Sequence, residues 1–400
     1  MSNQNKYEWG EGVYTLLSWF KKERVKNARV LVAGAGALGN EVVKDLALFG
    51  VGHIYVVDFD QIEISNLTRS VLFREEDALI HSFKAEVVAK RAKEINPQIE
   101  VIPIVGNLFS DVGLGLYRRV DVVIGCLDSR IARYQLNRLS MRAGKTWVDG
   151  SIENLTGVVR VFEPGTNCYE CSLSREEFNQ IMLRTGCADV VRMQGSVGRI
   201  ATTPISASIT GAVQVQEAMK VIHSSEDEKL PFKTLSDKMW RYDGMTASTT
   251  CFRHAAWKDD CPAHEKWNPV IPAPGLSAAE TVAKTLKYLK KLLNVKVLEI
   301  NMCNNKFIER VITDSPERCF DIRIPESKLD MYIQDNEELR KLSYKTLIHK
   351  DFIENIDDSF PYPEMALKDI GIPYYDVMKV STDKGLYYVE LTADAARYDF

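Results

Sequence analysis

NARVLVAGAGALGNEVVKDLALFGVGHIYVVDFD, residues 27–60, carries the reading of the fold. An apolar, β-branched run (28–34) enters a glycine-rich turn. A helical stretch follows over 37–49, and a second apolar run (53–59) closes on acid. Strand, turn, helix and strand in that order predict a parallel βαβ unit. Gly34, Gly36 and Gly39 fall in the turn, where glycines allow a tight bend and let the backbone approach phosphate oxygens at a helix N-terminus. Asp58 closes the second run and is placed to accept hydrogen bonds from ribose hydroxyls. Taken alone the turn suits NAD, FAD, S-adenosylmethionine or ATP, with a dinucleotide oxidoreductase as the leading reading.

Working outward, further apolar runs at 99–105, 120–126 and 145–150 alternate with helical stretches at 82–95 and 129–143. Runs of this kind, apolar on both faces and separated by helices, predict a Rossmann-like, doubly wound, mostly parallel α/β sheet. Residues 11–24 read as an N-terminal helix, 157–165 as another strand, and 175–195 as a long polar loop. Residues 196–224 read as one long helix, kinked or started by Pro204. NPVIPAPG (268–275) reads as a linker. A basic amphipathic helix (280–293) then opens a smaller α+β domain that ends in YYVEL (387–391). The expected division is a first, nucleotide-binding domain over 1–267, a linker at 268–276 and the α+β domain at 277–400.

A net charge of -4 gives no pull toward nucleic acid or anionic membrane. No stretch approaches the ~18 uninterrupted apolar residues of a membrane span, and the first residues lack a signal-peptide pattern. A cytoplasmic protein is expected, in which the eight cysteines serve as thiols, metal ligands or nucleophiles rather than disulfides.

The residues after Asp58 move the reading away from a dinucleotide. Asn66, Arg69 and Lys84 follow in DFDQIEISNLTRSVLF and HSFKAEVVAKRAKEINPQ. One polar donor and two cations exceed what a dinucleotide needs, whereas a triphosphate builds up charge that positioned cations stabilise. Asp128, in GCLDSRIARYQLN, stands at the C-terminal end of the fourth predicted strand, the edge where open α/β sheets bind ligands. It is a candidate for holding Mg2+ against the phosphates, its plainer role being a cap on the following helix. Cys168 and Cys171 form a CxxC knuckle, and Cys261 and His264 a CxxH pair far downstream. Two such pairs suit a closed, structural tetrahedral Zn2+ site, with Cys251 as the rival fourth ligand.

In order, NARVLVAGAGALGNEV, VVDFDQIEISNLTR, FKAEVVAKRAKEINP, GCLDSRIARYQLN, PGTNCYEC and DDCPAH resemble the ThiF/MoeB/HesA adenylyltransferases and the adenylation domains of ubiquitin-activating enzymes, over about residues 25–265. The resemblance implies ATP and Mg2+ as cofactors and a homodimer. It puts Asp58 on the ribose, with Asp60 in the same nucleotide-binding set. It puts Asn66, Arg69 and Lys84 on the phosphates and Asp128 on magnesium. Three features depart from the family pattern, one being His264 in a second pair that is normally CxxC. Ser70 stands where glutamine is usual, and YEWGEGVY lacks the upstream arginines, with Lys21, Lys22 or Arg24 as candidate substitutes. Cys187, in RTGCADVV, matches the position of a reactive cysteine, and Arg184 and Arg192 flank it. A thiolate there is a natural acceptor for an acyl adenylate.

The expected function is ATP-dependent adenylation of the C-terminal carboxylate of a ubiquitin-like protein, followed by thioester transfer to Cys187 and hand-over to a conjugating enzyme. The alternatives are activation of a sulfur-carrier protein for thiocarboxylate formation, and a non-catalytic scaffold for a ubiquitin-like protein. The tail lacks a sulfurtransferase cysteine loop and reads as a recruitment domain.

Overall fold

The computed structural model describes residues 9, 14–185, 202–224, 231–253, 256–303, 305–314, 316–343 and 348–398. The chain forms two units, one of residues 1–108, 117–178 and 199–266, the other of 109–116, 179–198 and 267–400.

The first unit is built on an eight-stranded sheet in the order β3-β2-β1-β4-β5-β6-β7-β8. Its strands are β1 (Arg29–Ala33), β2 (His53–Val57), β3 (Glu100–Ile104), β4 (Val122–Gly125), β5 (Trp147–Glu153), β6 (Thr156–Phe162), β7 (Lys238–Asp243) and β8 (Ser248–Arg253). The first five are mutually parallel, and β6, β7 and β8 add antiparallel. Val30, Leu31 and Val32 of β1 and all of β4 are buried, as a sheet covered on both faces requires. The principal helices are α1 (Ala37–Phe49), α2 (Lys84–Ile95), α3 (Arg130–Ala143) and α4 (Pro204–His223). Gly50 ends α1 in the left-handed region at φ 79°, where its N–H meets the carbonyls of Ala47 and Leu46. Valines and alanines of α1, α2 and α4 pack on β1, β2 and β4 to make the core.

Several expected boundaries shift. The stretch read as a helix over 11–24 holds a 3-10 turn at Tyr14–Leu16 and a short helix at Lys22–Asn27, with non-helical residues between. Tyr14, Trp19 and Phe20 explain the break: Tyr14 stacks on Phe49, Trp19 meets Phe232 edge to face and Phe20 packs tilted against His223, instead of lining one helix face. The polar loop opens with a helix, Arg175–Thr185. α4 begins at Pro204, with the Thr203 side chain capping Ser206 N–H, so proline acts as the start and not as a kink. Residues 186–201 lie outside the described residues.

The second unit holds a five-stranded sheet in the order β14-β10-β15-β16-β9 and a three-stranded sheet β12-β11-β13. These are β9 (Val270–Pro272), β10 (Leu298–Asn301), β11 (Phe307–Asp314), β12 (Glu317–Pro325), β13 (Ile348–Ile353), β14 (Asn355–Ile356), β15 (Val377–Thr382) and β16 (Gly385–Glu390). α5 (Val282–Leu293), capped by Thr281, turns Val282, Leu286 and Leu289 into its core. The stretch read as linker therefore contains β9, which pairs parallel with β16. Residues 109–116, excised from the Rossmann order between β3 and β4, are stitched here: Gly115 N–H donates to Tyr375 O at 2.9 Å and Leu114 N–H to Asp376 Oδ1 at 2.8 Å. A Cβ on Gly113 would lie 2.4 Å from the Tyr374 carbonyl oxygen, so the approach needs glycine. Among the described residues no helix is long and apolar enough to cross a membrane.

Candidate functional site

The register of β1 places the site. Ala33 pairs with Val57 on one side and Gly125 on the other. The turns after β1, β2 and β4 therefore leave the sheet at one edge, carrying Gly34–Gly39, Asp58 and Asp128. Gly34 takes φ +99°, and a Cβ there would lie 2.5 Å from Cys126 O. A Cβ on Gly39 would lie 2.0 Å from Gly34 O. At Gly36 nothing lies within 4 Å of that position. The outer two glycines are demanded by the protein's own packing. The middle one faces open space at the N-terminus of α1, as a phosphate cradle requires.

Asp58, half-buried, takes the Ala35 N–H on Oδ2 at 2.7 Å and the Asp60 N–H on Oδ1 at 2.8 Å. Burial raises its pKa above the ordinary carboxylate value, against those two N–H groups and the Lys84 charge. Asp58 thus fastens the glycine turn, a role the sequence did not disclose. Lys84 Nζ sits 2.7 Å from Asp60 Oδ2, at the start of α2. Asn66 Oδ1 accepts Glu63 N–H at 3.1 Å in a 3-10 turn, and Arg69 donates to Ser65 O at 2.8 Å. Ser70 is buried. Asp128 is exposed, and Ser129 Oγ, accepting Ala132 N–H at 3.0 Å, is the cap of α3. The capping role once open to Asp128 is taken by its neighbour.

Behind this edge lies a buried polar set that sequence reasoning missed. Asp149, fully buried on β5, accepts from Arg133 Nε at 2.9 Å and from Arg160 Nε at 3.1 Å. Burial works to raise its pKa, but Arg160 and Arg133 outweigh it and hold the carboxyl below its ordinary value. Arg133 also donates to Leu127 O at 2.5 Å, the carbonyl next to Asp128. Gln214 of α4 donates to Gly125 O at 2.9 Å and Val148 O at 3.2 Å. The one available signal was charge inside apolar strands, as in TWVDG and VVRVF. Burial raises the Cys126 thiol, with Asp149 adding to the effect, so this cysteine is held as a neutral thiol.

The second cluster lies at the antiparallel end. Sγ of Cys168 is 3.5 Å from that of Cys171 and 3.8 Å from that of Cys261, and Cys171 Sγ is 3.3 Å from His264 Nε2. All four ligand atoms fall within 4.8 Å of one another. A tetrahedral zinc with Zn–S of ~2.3 Å and Zn–N of ~2.0 Å has ligand separations of roughly 3.5–3.8 Å; the two sulfur pairs at 3.5 and 3.8 Å fall in that range, and the Cys171–His264 pair at 3.3 Å lies just short of it. Burial lowers the His264 pKa, favouring the neutral ring a metal needs, and the ring stacks on Trp257. Cys251 is exposed on β8 opposite Trp240 and is not in the cluster. Cys187 and Arg192 lie outside the described residues, as does the side chain of Arg184. Of the upstream cations, Arg24 Nη1 donates to His223 O at 2.6 Å.

The model of the ThiF family matches residues 14–263. The SUMO-activating enzyme subunit uba-2 of Caenorhabditis elegans is 36% identical over 157 residues, 38% of this chain and 27% of that protein. The sulfur carrier protein adenylyltransferase of Thermus thermophilus is 32% identical over 233 residues, 57% of this chain and 79% of that one. The adenylyltransferase and sulfurtransferase MOCS3 of Culex quinquefasciatus is 31% identical over 241 residues, 60% and 50% respectively. The chain thus spans about a quarter of the first relative and half of the third.

Proposed function

Because the chain belongs to the ThiF family, we propose that it is a cytoplasmic enzyme that uses ATP to adenylate the C-terminal carboxylate of a ubiquitin-like protein. The observation that carries this reading is the glycine turn, closed at Gly34 and Gly39 by the protein itself and open at Gly36, on the sheet edge that also bears Asp58 and Asp128. A carboxylate oxygen of the partner attacks the α-phosphorus. The bond from that phosphorus to the β-phosphate breaks, and pyrophosphate leaves. Asn66, Arg69 and Lys84 bind the phosphates, and Asp58 with Asp60 orders the nucleotide end. Asp128 would hold magnesium, which would supply further charge neutralisation when bound. No general base is needed, since positioning and electrostatics supply the catalysis. In a second step the Cys187 thiolate attacks the acyl carbon and AMP leaves, giving a thioester for a conjugating enzyme. Zinc on Cys168, Cys171, Cys261 and His264 is structural. The working form is a homodimer, and the second unit recruits the partner.

The test is ATP–pyrophosphate exchange with small carrier proteins that end in glycine. Wild type exchanges, and Asp128→Ala does not. Exchange by the alanine variant removes the metal role of Asp128, and absence of exchange by wild type with any partner leaves the scaffold reading. Cys187→Ala keeps exchange and loses the thioester seen as a thiol-sensitive band. One alternative, activation of a sulfur carrier for thiocarboxylate formation, is favoured by the similarity over 79% of the Thermus sulfur carrier protein adenylyltransferase. Turnover that requires a sulfur donor in place of a conjugating enzyme selects it.

A further inference from the structure

The side chain of Asn40 joins the glycine turn to Leu72, just after the segment bearing Asn66 and Arg69. Asn40, in the first turn of α1, is fully buried. Its Nδ2 donates to Ala35 O at 2.8 Å and Gly36 O at 2.9 Å, while its Oδ1 accepts Leu72 N–H at 2.9 Å. A short amide is the side chain that offers two donors and an acceptor at this reach. Aspartate would set an oxygen against two carbonyls, and alanine would leave the Leu72 N–H and both carbonyls without this partner.

Both ends of the tie are already stiff. On the turn side, Ala35 is fixed by Asp58 at 2.7 Å and Gly34 N–H by Val57 O at 2.8 Å. On the other side, Arg69 N–H donates to Asn66 O at 3.1 Å and Phe73 N–H to Ser70 O at 3.3 Å. Ser70, Leu72 and Phe73 are buried, while Arg69 and Asn66 keep partial exposure. A shift at Leu72 is therefore handed along a chain of turns to Arg69, and a shift at Gly36 to the cradle.

We propose that Asn40 is a positioning residue that locks the phosphate cradle and the Asn66–Arg69 segment into one preformed arrangement for a nucleoside triphosphate. The proposal rests on the ATP reading above. Being buried, Asn40 touches no ligand and acts through Gly36 and Arg69.

The experiment is calorimetric titration of the full chain with magnesium-ATP and, separately, with adenosine. Asn40→Asp and Asn40→Ala are expected to weaken ATP by about tenfold to a hundredfold, the scale of a misplaced phosphate group, with adenosine changed less than about threefold. Equal losses for both ligands mean a merely structural role and overturn the proposal, as does unchanged ATP affinity. Wild type that binds no ATP sinks the nucleotide reading itself; wild type that binds it beside unaffected variants sinks only the role of Asn40. Should Asn40→Asp fail to fold, Asn40→Ser is combined with Arg69→Ala. In the Arg69→Ala background the serine change should cost ATP affinity less than it does in wild type, because one of the two groups it acts through is gone. Full additivity overturns the proposal.

Discussion

β4 is buried at every residue and β8 is exposed at every residue, although both belong to one sheet. Between them β6 alternates half-buried and buried residues up to Val161. The parallel half, covered by helices on both faces, excludes water, so its polar groups must be satisfied within the protein. Asp149 with Arg133 and Arg160, Gln214 on the β4 and β5 carbonyls, and Asn40 under the glycine turn do this. The antiparallel half gains far less from apolar burial. Its connections, after β6 and after β8, are brought together instead by three sulfurs and an imidazole. One half is held by packing and internal hydrogen bonds; the other sets four candidate metal ligands beside one another.

The largest effect expected on this contrast comes from that ligand cluster. Cys171→Ala should empty the metal site and lower stability by several kcal/mol, within the ~10 kcal/mol scale of structural zinc. Metal content by native mass spectrometry and thermal unfolding check it, and unchanged values would remove the metal from the comparison. Next comes Asp149→Ala, which leaves two arginines in the interior without their shared anion and should cost about 3–5 kcal/mol in urea unfolding. The pH dependence follows from the same residue. Its carboxyl is held below the ordinary value when folded, so between that depressed value and 3.8 the unfolded chain binds more protons. Its contribution is therefore in place above the ordinary carboxylate pKa and is lost as pH falls through the depressed one. Asp149→Asn should flatten the acid limb of the stability curve.

A smaller effect separates two glycines of one turn. Gly39→Ala drives a methyl onto a backbone oxygen and should cost about 1–3 kcal/mol. Gly36→Ala should stay within ~0.5 kcal/mol yet weaken ATP binding, measured by calorimetry; unchanged binding would break the claim that its open space belongs to phosphate. Smallest of all, Phe252→Ser on β8, exposed at 44%, should leave the melting temperature unchanged within about 0.5 kcal/mol of stability.

The same contrast governs what the sequence revealed. The parallel half was legible because its signals are local: β-branched runs give β1, β2 and β4, glycines give the turn, and Gly50 and Gly144 end helices. The CxxC and CxxH pairs came together as their spacing implied, since metal chemistry restricts ligand types sharply. What stayed hidden depends on long-range partners. Asn40 needs Leu72, Asp149 needs Arg160, and Lys84 is set against Asp60, none of which a window of local sequence brings together. The break in the 11–24 helix has the same origin, since aromatic contacts with Phe49, Phe232 and His223 override local helical preference. β9 was hidden by Pro269 before it and Pro272 at its end, which a three-residue edge strand tolerates.

Residues 109–116 give the second unit a biosynthetic consequence. Val112, Leu114 and Leu116 are buried, yet Tyr375 and Asp376, which meet the backbone of this segment, are translated more than two hundred residues later. During synthesis the segment has to wait, apolar and unsheltered, until Tyr375 and Asp376 have been made. A gene truncated after residue 266 would produce a protein that keeps this orphaned stretch for good, and its expected fate is aggregation or capture by chaperones. The smaller unit cannot be removed by a single cut.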